Sequence, residues 1–472
     1  MIRRFLVRPR RAPGAALVAL ALSAAWLAGP PPVRAQQTGT AEAPEFRVDL
    51  GGYGSTRLEA IDADEPPTSL TLRRLVLTTD ARVGDRFRVY TEIEFERFGE
   101  IELEKALERA AGGADLEQAV EGTGGSELSL EQAWGQLDLG GGVGLRFGAV
   151  LPPVGRFNIH HDDDVWNFPR RPLIDRAAAV LPASAAWTEM GLGLAGRTPV
   201  GETGLLDWQV YLLNGTTLDF AMEHKLETRA TGPSALVVEA AVGPSPGAVD
   251  GSSRADAVAA RVALSPSLGT EIGLSGYRGR YAPDALEDGG AVSTLGMDGR
   301  RRLGPVELEG EFLYTHYDDL TRVLGDFVRL LGTREAEAAG TGGELVTEIE
   351  AEIGGLSDDR YGFWLDAGLP IALPRGVLGF EAPVLVPVAR YERVWLSGDV
   401  EKVALDAAEG VAVGRADRRQ GRLSVGVAFR PVPQAVFHLV YERNDAIEGA
   451  LLDPGVSEGS TNGVVFGMAV GF

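Results

Sequence analysis

Apolar and polar residues alternate with a period of two through most of this chain. Phe87, Val89, Thr91, Ile93 and Phe95 share one parity; Arg88, Tyr90, Glu92, Glu94 and Glu96 share the other. Val143, Leu145, Phe147 and Ala149 oppose Gly144, Arg146 and Gly148 in the same way. Further along, Leu206, Trp208, Val210 and Leu212 oppose Asp207, Gln209 and Tyr211, and Val306, Leu308, Phe312 and Tyr314 oppose Glu307, Glu309 and Glu311. Leu423, Val425, Val427 and Phe429 oppose Arg422, Ser424, Gly426 and Arg430; Phe437, Leu439 and Tyr441 oppose Val436, His438 and Glu442. Successive side chains of a strand point to opposite faces, so each segment carries one apolar and one polar face. Charge on the second face excludes a dry core there, and the segments lack the 3.6-residue period of a helix. The last twelve residues vary the theme: Val464, Phe466, Met468, Val470 and Phe472 form an apolar ribbon, opposed by Gly463, Val465, Gly467, Ala469 and Gly471.

Sixteen such segments are expected, near 46–59, 70–80, 86–97, 127–139, 143–151, 185–197, 204–214, 255–265, 268–279, 292–303, 305–317, 360–369, 383–396, 419–430, 434–444 and 461–472. Connections after even-numbered segments are mostly tight, as at Gly140–Gly142, Pro266–Ser267 and Gly304. Those after odd-numbered segments are long: 98–126, 152–184, 215–254, 318–359 and 397–418 among them. Segments of about ten residues, short turns at one end and long loops at the other point to an all-β fold, a transmembrane antiparallel β-barrel. In that reading the turns are periplasmic, the loops extracellular, and closure leaves no strand edge in lipid. The connection 370–382 is long for a periplasmic turn. Helical spacing is expected within two loops, at Glu100–Ala111 and Leu320–Ala338.

The N-terminus suggests how such a chain reaches a membrane. Arg3, Arg4, Arg8, Arg10 and Arg11 precede an Ala/Leu-rich run, and Val33-Arg34-Ala35 offers a cleavage site. Residues 1–35 are therefore expected to be a secretory signal, 36–45 a periplasmic linker and 46–472 the barrel. Zero Cys means that stability does not rest on disulfides. Without the six arginines of 1–35, 39 basic residues face 67 acidic ones, a net charge near −28. So acidic a chain is a poor nucleic-acid binder. Only Lys105, Lys225 and Lys402 are lysines, so Arg carries nearly all positive charge.

Candidate chemistry concentrates after the fifth segment, where Pro152-Pro153-Val154-Gly155-Arg156-Phe157-Asn158 leads to His160-His161-Asp162-Asp163-Asp164 and then Arg170-Arg171-Pro172-Leu173-Ile174-Asp175-Arg176. Together with Leu181-Pro182-Ala183, Trp187-Thr188-Glu189-Met190-Gly191, Gly52-Tyr53-Gly54 and Leu72-Arg73-Arg74-Leu75, this stretch resembles the phosphate-selective porin O and P superfamily. The resemblance implies an outer-membrane porin in lipid and lipopolysaccharide, a homotrimer, and a third loop that folds inward. It also implies passive diffusion of small hydrophilic solutes or ions, with an anion preference at the constriction. Arg156, His160, Asp162, Asp163, Asp164, Arg170, Arg171 and Arg176 would line that constriction. The family's loop lysines have no counterpart here. Phe472 would serve as the tag read by the barrel assembly machinery.

Arg88, Glu92, Glu94, Arg146, Arg261, Glu307, Glu309, Glu311, Arg422, Arg430, His438 and Glu442 fall on the inward parity. Opposed acid and Arg rows would set a transverse field across a pore. The His160–Asp164 run invites a metal reading, but neighbours on an extended chain point different ways, and pairing of the acids with nearby arginines is the expectation. His438 with Ser424 and Glu442 is the thin basis for a barrel hydrolase; loops acting as a receptor or adhesin surface are a further alternative. The reading adopted is a channel with no enzymatic activity, no metal and no cofactor.

Overall fold

A computed structural model of the chain describes residues 46–61, 69–96, 101–110, 113–122, 127–175, 180–183, 186–227, 235–246, 255–283, 286, 289–338, 346–353, 355–406, 410–447 and 459–472. The expected signal and linker lie outside these residues. Sixteen strands close into one antiparallel barrel. They are β1 Phe46–Ile61, β2 Ser69–Val83, β3 Phe87–Glu96, β4 Glu127–Gly140, β5 Val143–Val150, β6 Glu189–Val200, β7 Gly204–Leu213 and β8 Ala257–Ser267. The second half comprises β9 Thr270–Arg280, β10 Ala291–Leu303, β11 Val306–Tyr317, β12 Ser357–Gly368, β13 Val384–Asp406, β14 Gly410–Val432, β15 Ala435–Ile447 and β16 Gly459–Gly471.

Each strand pairs with its sequence neighbour, and β16 returns to β1 with Gly471 opposite Tyr53 and Gly463 opposite Ile61. The Phe472 amide donates to the Gly52 carbonyl at 2.9 Å and completes the seam. Side-chain burial follows the alternation of the sequence. In β16, Val464, Phe466 and Val470 are exposed on the outer wall, while Val465 and Ala469 are buried inside. Leu192, Leu274, Leu295, Val425 and Leu439 continue the outer apolar belt around the barrel. No helix among the described residues is long and apolar enough to cross a membrane; the crossing is made by strands, which pair their backbone groups within a closed sheet.

Three expectations need correction. Residues Ile101–Ala110 are not helical but pair with Gly113–Gly122 as a two-stranded hairpin; an adjacent partner strand supplies the backbone bonds a helix would otherwise make. The expected long connection 397–418 is largely strand, because β13 and β14 each run 23 residues with bulges near Leu396–Lys402. At about 3.3 Å per residue such strands reach about 75 Å, far beyond the bilayer. The sixth strand starts at Glu189 rather than near 185, since 186–188 belong to the inward loop. The long turn 370–382 is a short hairpin in which Ile371 and Ala372 pair with Leu385 and Val384.

Outside the membrane the extended strands carry further layers. The hairpin Thr216–Glu227/Ala235–Pro246 pairs in parallel with Val346–Ile353, which pairs with the outer part of β13. The expected helix in the sixth loop forms at Leu320–Ala338. Its Leu320, Val323, Leu324, Phe327, Val328 and Leu331, spaced to share one face, are all buried. They join one apolar core with Val400 and Val403 of β13 and with Val154, Phe157, Leu173, Ile174 and Trp187 of the third loop. The core of this molecule therefore lies inside the barrel and above it.

Candidate functional site

The third loop, between β5 and β6, leaves the wall at Leu151 and crosses the lumen. Pro152 and Pro153 keep the chain extended at its entry. Gly155, at φ 75°, then turns it into a single helical turn, Arg156–Ile159. The positive φ favours glycine, and a Cβ there would also press on the Glu311 carboxylate.

Charged wall residues of β1–β4, β9, β11 and β13–β15 hold the loop. On the β9–β11 side, Arg156 pairs with Glu271 at 2.6 Å and with Glu309; the Phe157 amide donates to Glu311 at 2.9 Å and the Gly155 amide to Ser275 Oγ at 3.1 Å. On the β1–β4 side, Asp163 accepts from Ser55 at 2.6 Å and from Arg74 at 3.1 Å, and His161 faces Glu131 at 3.3 Å. Arg170 bridges Glu59 of β1 and Glu442 of β15 at 2.9 and 2.7 Å. Arg171 lies 3.7 Å from Glu94.

From β13 to β15 the wall donates to loop backbone. Arg390, itself locked to Asp366 by two 2.7 Å bonds, reaches the Arg170 carbonyl, and Arg422 reaches that of Arg171 at 2.6 Å. Glu392 accepts from the Leu173 amide at 2.6 Å. Arg430 gathers the carbonyls of Asp164, Val165 and Trp166, and His438 Nε2 donates to the Trp166 carbonyl at 3.1 Å. On β16 the small residues make room: a Cβ on Gly467 would stand 2.7 Å from Pro169 Cβ. Phe168 packs under Val386, Ala428 and Val440 in a second apolar cluster.

Electrostatics inside the loop follow from these partners. Burial would raise the Asp163 carboxyl, but Arg74 and Arg171 outweigh it and hold it well below the usual carboxylate range. Burial would likewise depress His161; the Glu131 carboxylate reverses this and pushes the imidazole up to about 9. Asp162 is raised by burial.

Two cavities of about 450 and 520 Å³ remain between the loop and the periplasmic ends of the strands, with Val165, Trp166, Arg300 and Glu309 common to both. Their arginines are Arg156, Arg197, Arg261, Arg300, Arg301 and Arg302; their carboxylates are Asp207, Glu271, Glu307, Glu309 and Asp366. His160 lines the larger cavity. Arg261 is engaged by Asp298, with one bond at 2.7 Å. Nearby, Arg88 is bound by Asp80, and Arg146 stacks on Trp134 with its carbon 4.0 Å from the ring centroid. Arg146 also donates to Gln136, and among the described residues no carboxylate forms an ion pair with it.

The structure thus brings Arg156, Asp163, Arg170, Arg171, Glu94, Glu309, Glu311, Arg422, Arg430, His438 and Glu442 together as the clamp of one loop. Glu92 joins Glu131 and His161 in a separate cluster. Arg176 lies outside the described residues, and Glu307 stays exposed at the periplasmic mouth. Ser424 is the cross-strand partner of Glu442, whereas His438 lies opposite Ala428. Glu59, Arg74, Glu131, Glu271, Asp366, Arg390 and Glu392 were not singled out from the sequence. The available signal was a charge on the inward parity at mid-strand, which demands a partner wherever the lumen is filled.

No known family profile matches the chain. An uncharacterised protein of Aquifex aeolicus (strain VF5) is 28% identical over 168 residues, 36% of this chain and 32% of that protein, so the match spans about a third of the relative's length. Among solved structures, the anion-selective porin from Comamonas acidovorans aligns over 91% of this chain and 100% of its own, at 12% identity and a TM-score of 0.47. The outer membrane channel DcaP of Acinetobacter baumannii aligns over 93% and 100%, at 11% identity and 0.43. OmpF of Salmonella typhi, in complex with daunomycin, aligns over 90% and 97%, at 9% identity and 0.45.

A closed sixteen-stranded barrel with an apolar outer belt, a charged lumen and an inward third loop defines the class: a transmembrane β-barrel of porin-like architecture.

Proposed function

We propose that this barrel is a passive, narrow channel for small hydrophilic solutes and ions, with the third loop as its constriction and no enzymatic activity. The observation that carries the reading is the clamp: wall charges from nearly every side hold the loop at mid-lumen, while cavities lined by Arg and Glu persist below it. A weak anion preference belongs to this reading. Six cavity arginines face five carboxylates, and Arg146 adds an inward cation with no paired carboxylate. Kinship with the phosphate-selective porin O and P superfamily, export by residues 1–35, recognition of Phe472 by the barrel assembly machinery, and a homotrimeric state complete it, supported by the sequence motifs.

The apolar core that joins the third loop to the helix Leu320–Ala338 favours a second reading, a barrel blocked from outside whose loops are a receptor or adhesin surface. Planar-bilayer recording of the refolded chain separates the two. Stepwise conductance with a reversal potential displaced toward anions supports the channel; a silent bilayer supports the blocked barrel.

A further inference from the structure

His161 stands at the meeting point of the third loop and the wall. Its Nδ1 lies 3.0 Å from the Asn158 carbonyl, an acceptor only, so Nδ1 carries the proton. In the neutral ring Nε2 is then a lone pair, and it points at Glu131 Oε2, 3.3 Å away, another lone pair. Two facing acceptors repel unless a proton or a metal cation lies between them. Backbone fixation of one imidazole nitrogen is also how metal-ligating histidines are oriented.

The other groups at this point favour the cation. One ligand atom each from Glu92, Glu131 and His161 lie within 4.8 Å of one another, and all three residues are buried, at 2%, 4% and 2% exposure. Bonds of about 2.1 Å in a tetrahedral site place ligand atoms about 3.4 Å apart; His161 Nε2 and Glu131 Oε2 already stand at 3.3 Å, and a shift of about 1.5 Å or less at Glu92 would close the set. Asp162, next in the chain, carries a buried Oδ1 with no hydrogen-bond partner among the described residues, an unneutralised acceptor beside the cluster. Tyr90 and Gln132 hold Glu92 Oε2 from the side, at 3.3 and 2.5 Å.

We propose that Glu92, Glu131 and His161 bind one divalent first-row transition-metal ion, which staples the third loop to β3 and β4. One imidazole with carboxylates suits Zn²⁺ or Mn²⁺; the nitrogen ligand disfavours Ca²⁺ and Mg²⁺. The site does not depend on whether the barrel conducts, and its test reads the metal alone.

The folded barrel in detergent, stripped with chelator, is titrated with Zn²⁺ by calorimetry, and bound metal is counted after gel filtration. The expected result is one ion per chain. Glu131→Gln and His161→Gln each weaken binding more than about tenfold, the scale on which even the partners of metal ligands matter, whereas Glu307→Gln at the mouth leaves it unchanged. Should the variants fail to fold, Mn²⁺ bound to the unaltered chain is read by pulsed electron paramagnetic resonance. A nitrogen coupling from one imidazole supports the site. No bound metal, binding indifferent to both substitutions, or Mn²⁺ without nitrogen coupling would overturn it and leave His161 and Glu131 as a protonated ion pair.

Discussion

Asp163 and Arg74, 89 positions apart in the chain, meet inside the barrel with carboxylate and guanidinium 3.1 Å apart. Arg74 also serves Glu94 at 3.1 Å and Glu96 at 3.4 Å, so one cation holds three acids from loop and wall. Removing it leaves those acids facing one another. Arg74→Ala should cost about 3–5 kcal/mol, as for other buried pairs stripped of one partner. Denaturant unfolding in lipid vesicles reads the loss, and a change below 1 kcal/mol would mean the loop is held mainly by its apolar contacts.

The same pair sets an acid dependence. The folded-state pKa of Asp163 is lowered, so its stabilising contribution is fully present above the unfolded value of about 3.9 and disappears as pH falls through the lower folded value. The stability gap between the native chain and Asp163→Asn should therefore be constant at neutral pH and shrink below pH about 4. Unfolding free energies of both proteins across the acid range check the sign; a gap that widens toward acid contradicts it.

Gly467 lies directly against Pro169 of the inward loop, and a Cβ on it would come within 2.7 Å of that ring. Gly467→Val should leave the barrel folded, because β16 already alternates correctly, yet displace the loop. Limited proteolysis should then cut within 152–175 faster than in the native chain. Equal cleavage rates would place the loop's tolerance elsewhere.

The lipid-facing wall gives a contrasting test. Leu274 on β9 is 61% exposed on the outer surface. Leu274→Arg should destabilise the barrel by about 2–4 kcal/mol if it sits near the bilayer midplane, while Leu274→Phe should be close to neutral. Unfolding in vesicles measures both.

These residues show what a sequence displays and what it hides. The parity of Val464, Phe466 and Val470 was legible because lipid sorts side chains locally, residue by residue. The small face of Gly463, Gly467 and Gly471 was legible as a pattern, but its cause was not, since Pro169 and Asp164 come from nearly 300 residues away. Arg170 and Arg171 could be placed in the third loop from spacing alone. Their engagement by Glu59, Glu442 and Glu94 depends on barrel closure, which no local period encodes. Ile101–Ala110 misled for a related reason: Leu103, Ala106, Leu107 and Ala110 fit a helix, but an adjacent partner strand prevails over spacing in so short a segment.

The central claim is that the loop clamped across the lumen is the constriction of an open channel. Single-channel recording of the native chain beside Arg170→Ala, which frees Glu59 and Glu442 from their loop cation, tests it most directly. The native chain should give small, weakly anion-preferring steps, and the variant larger steps with the reversal potential moved toward cations. Silence from both proteins, with the barrels shown to be folded and inserted, would contradict it.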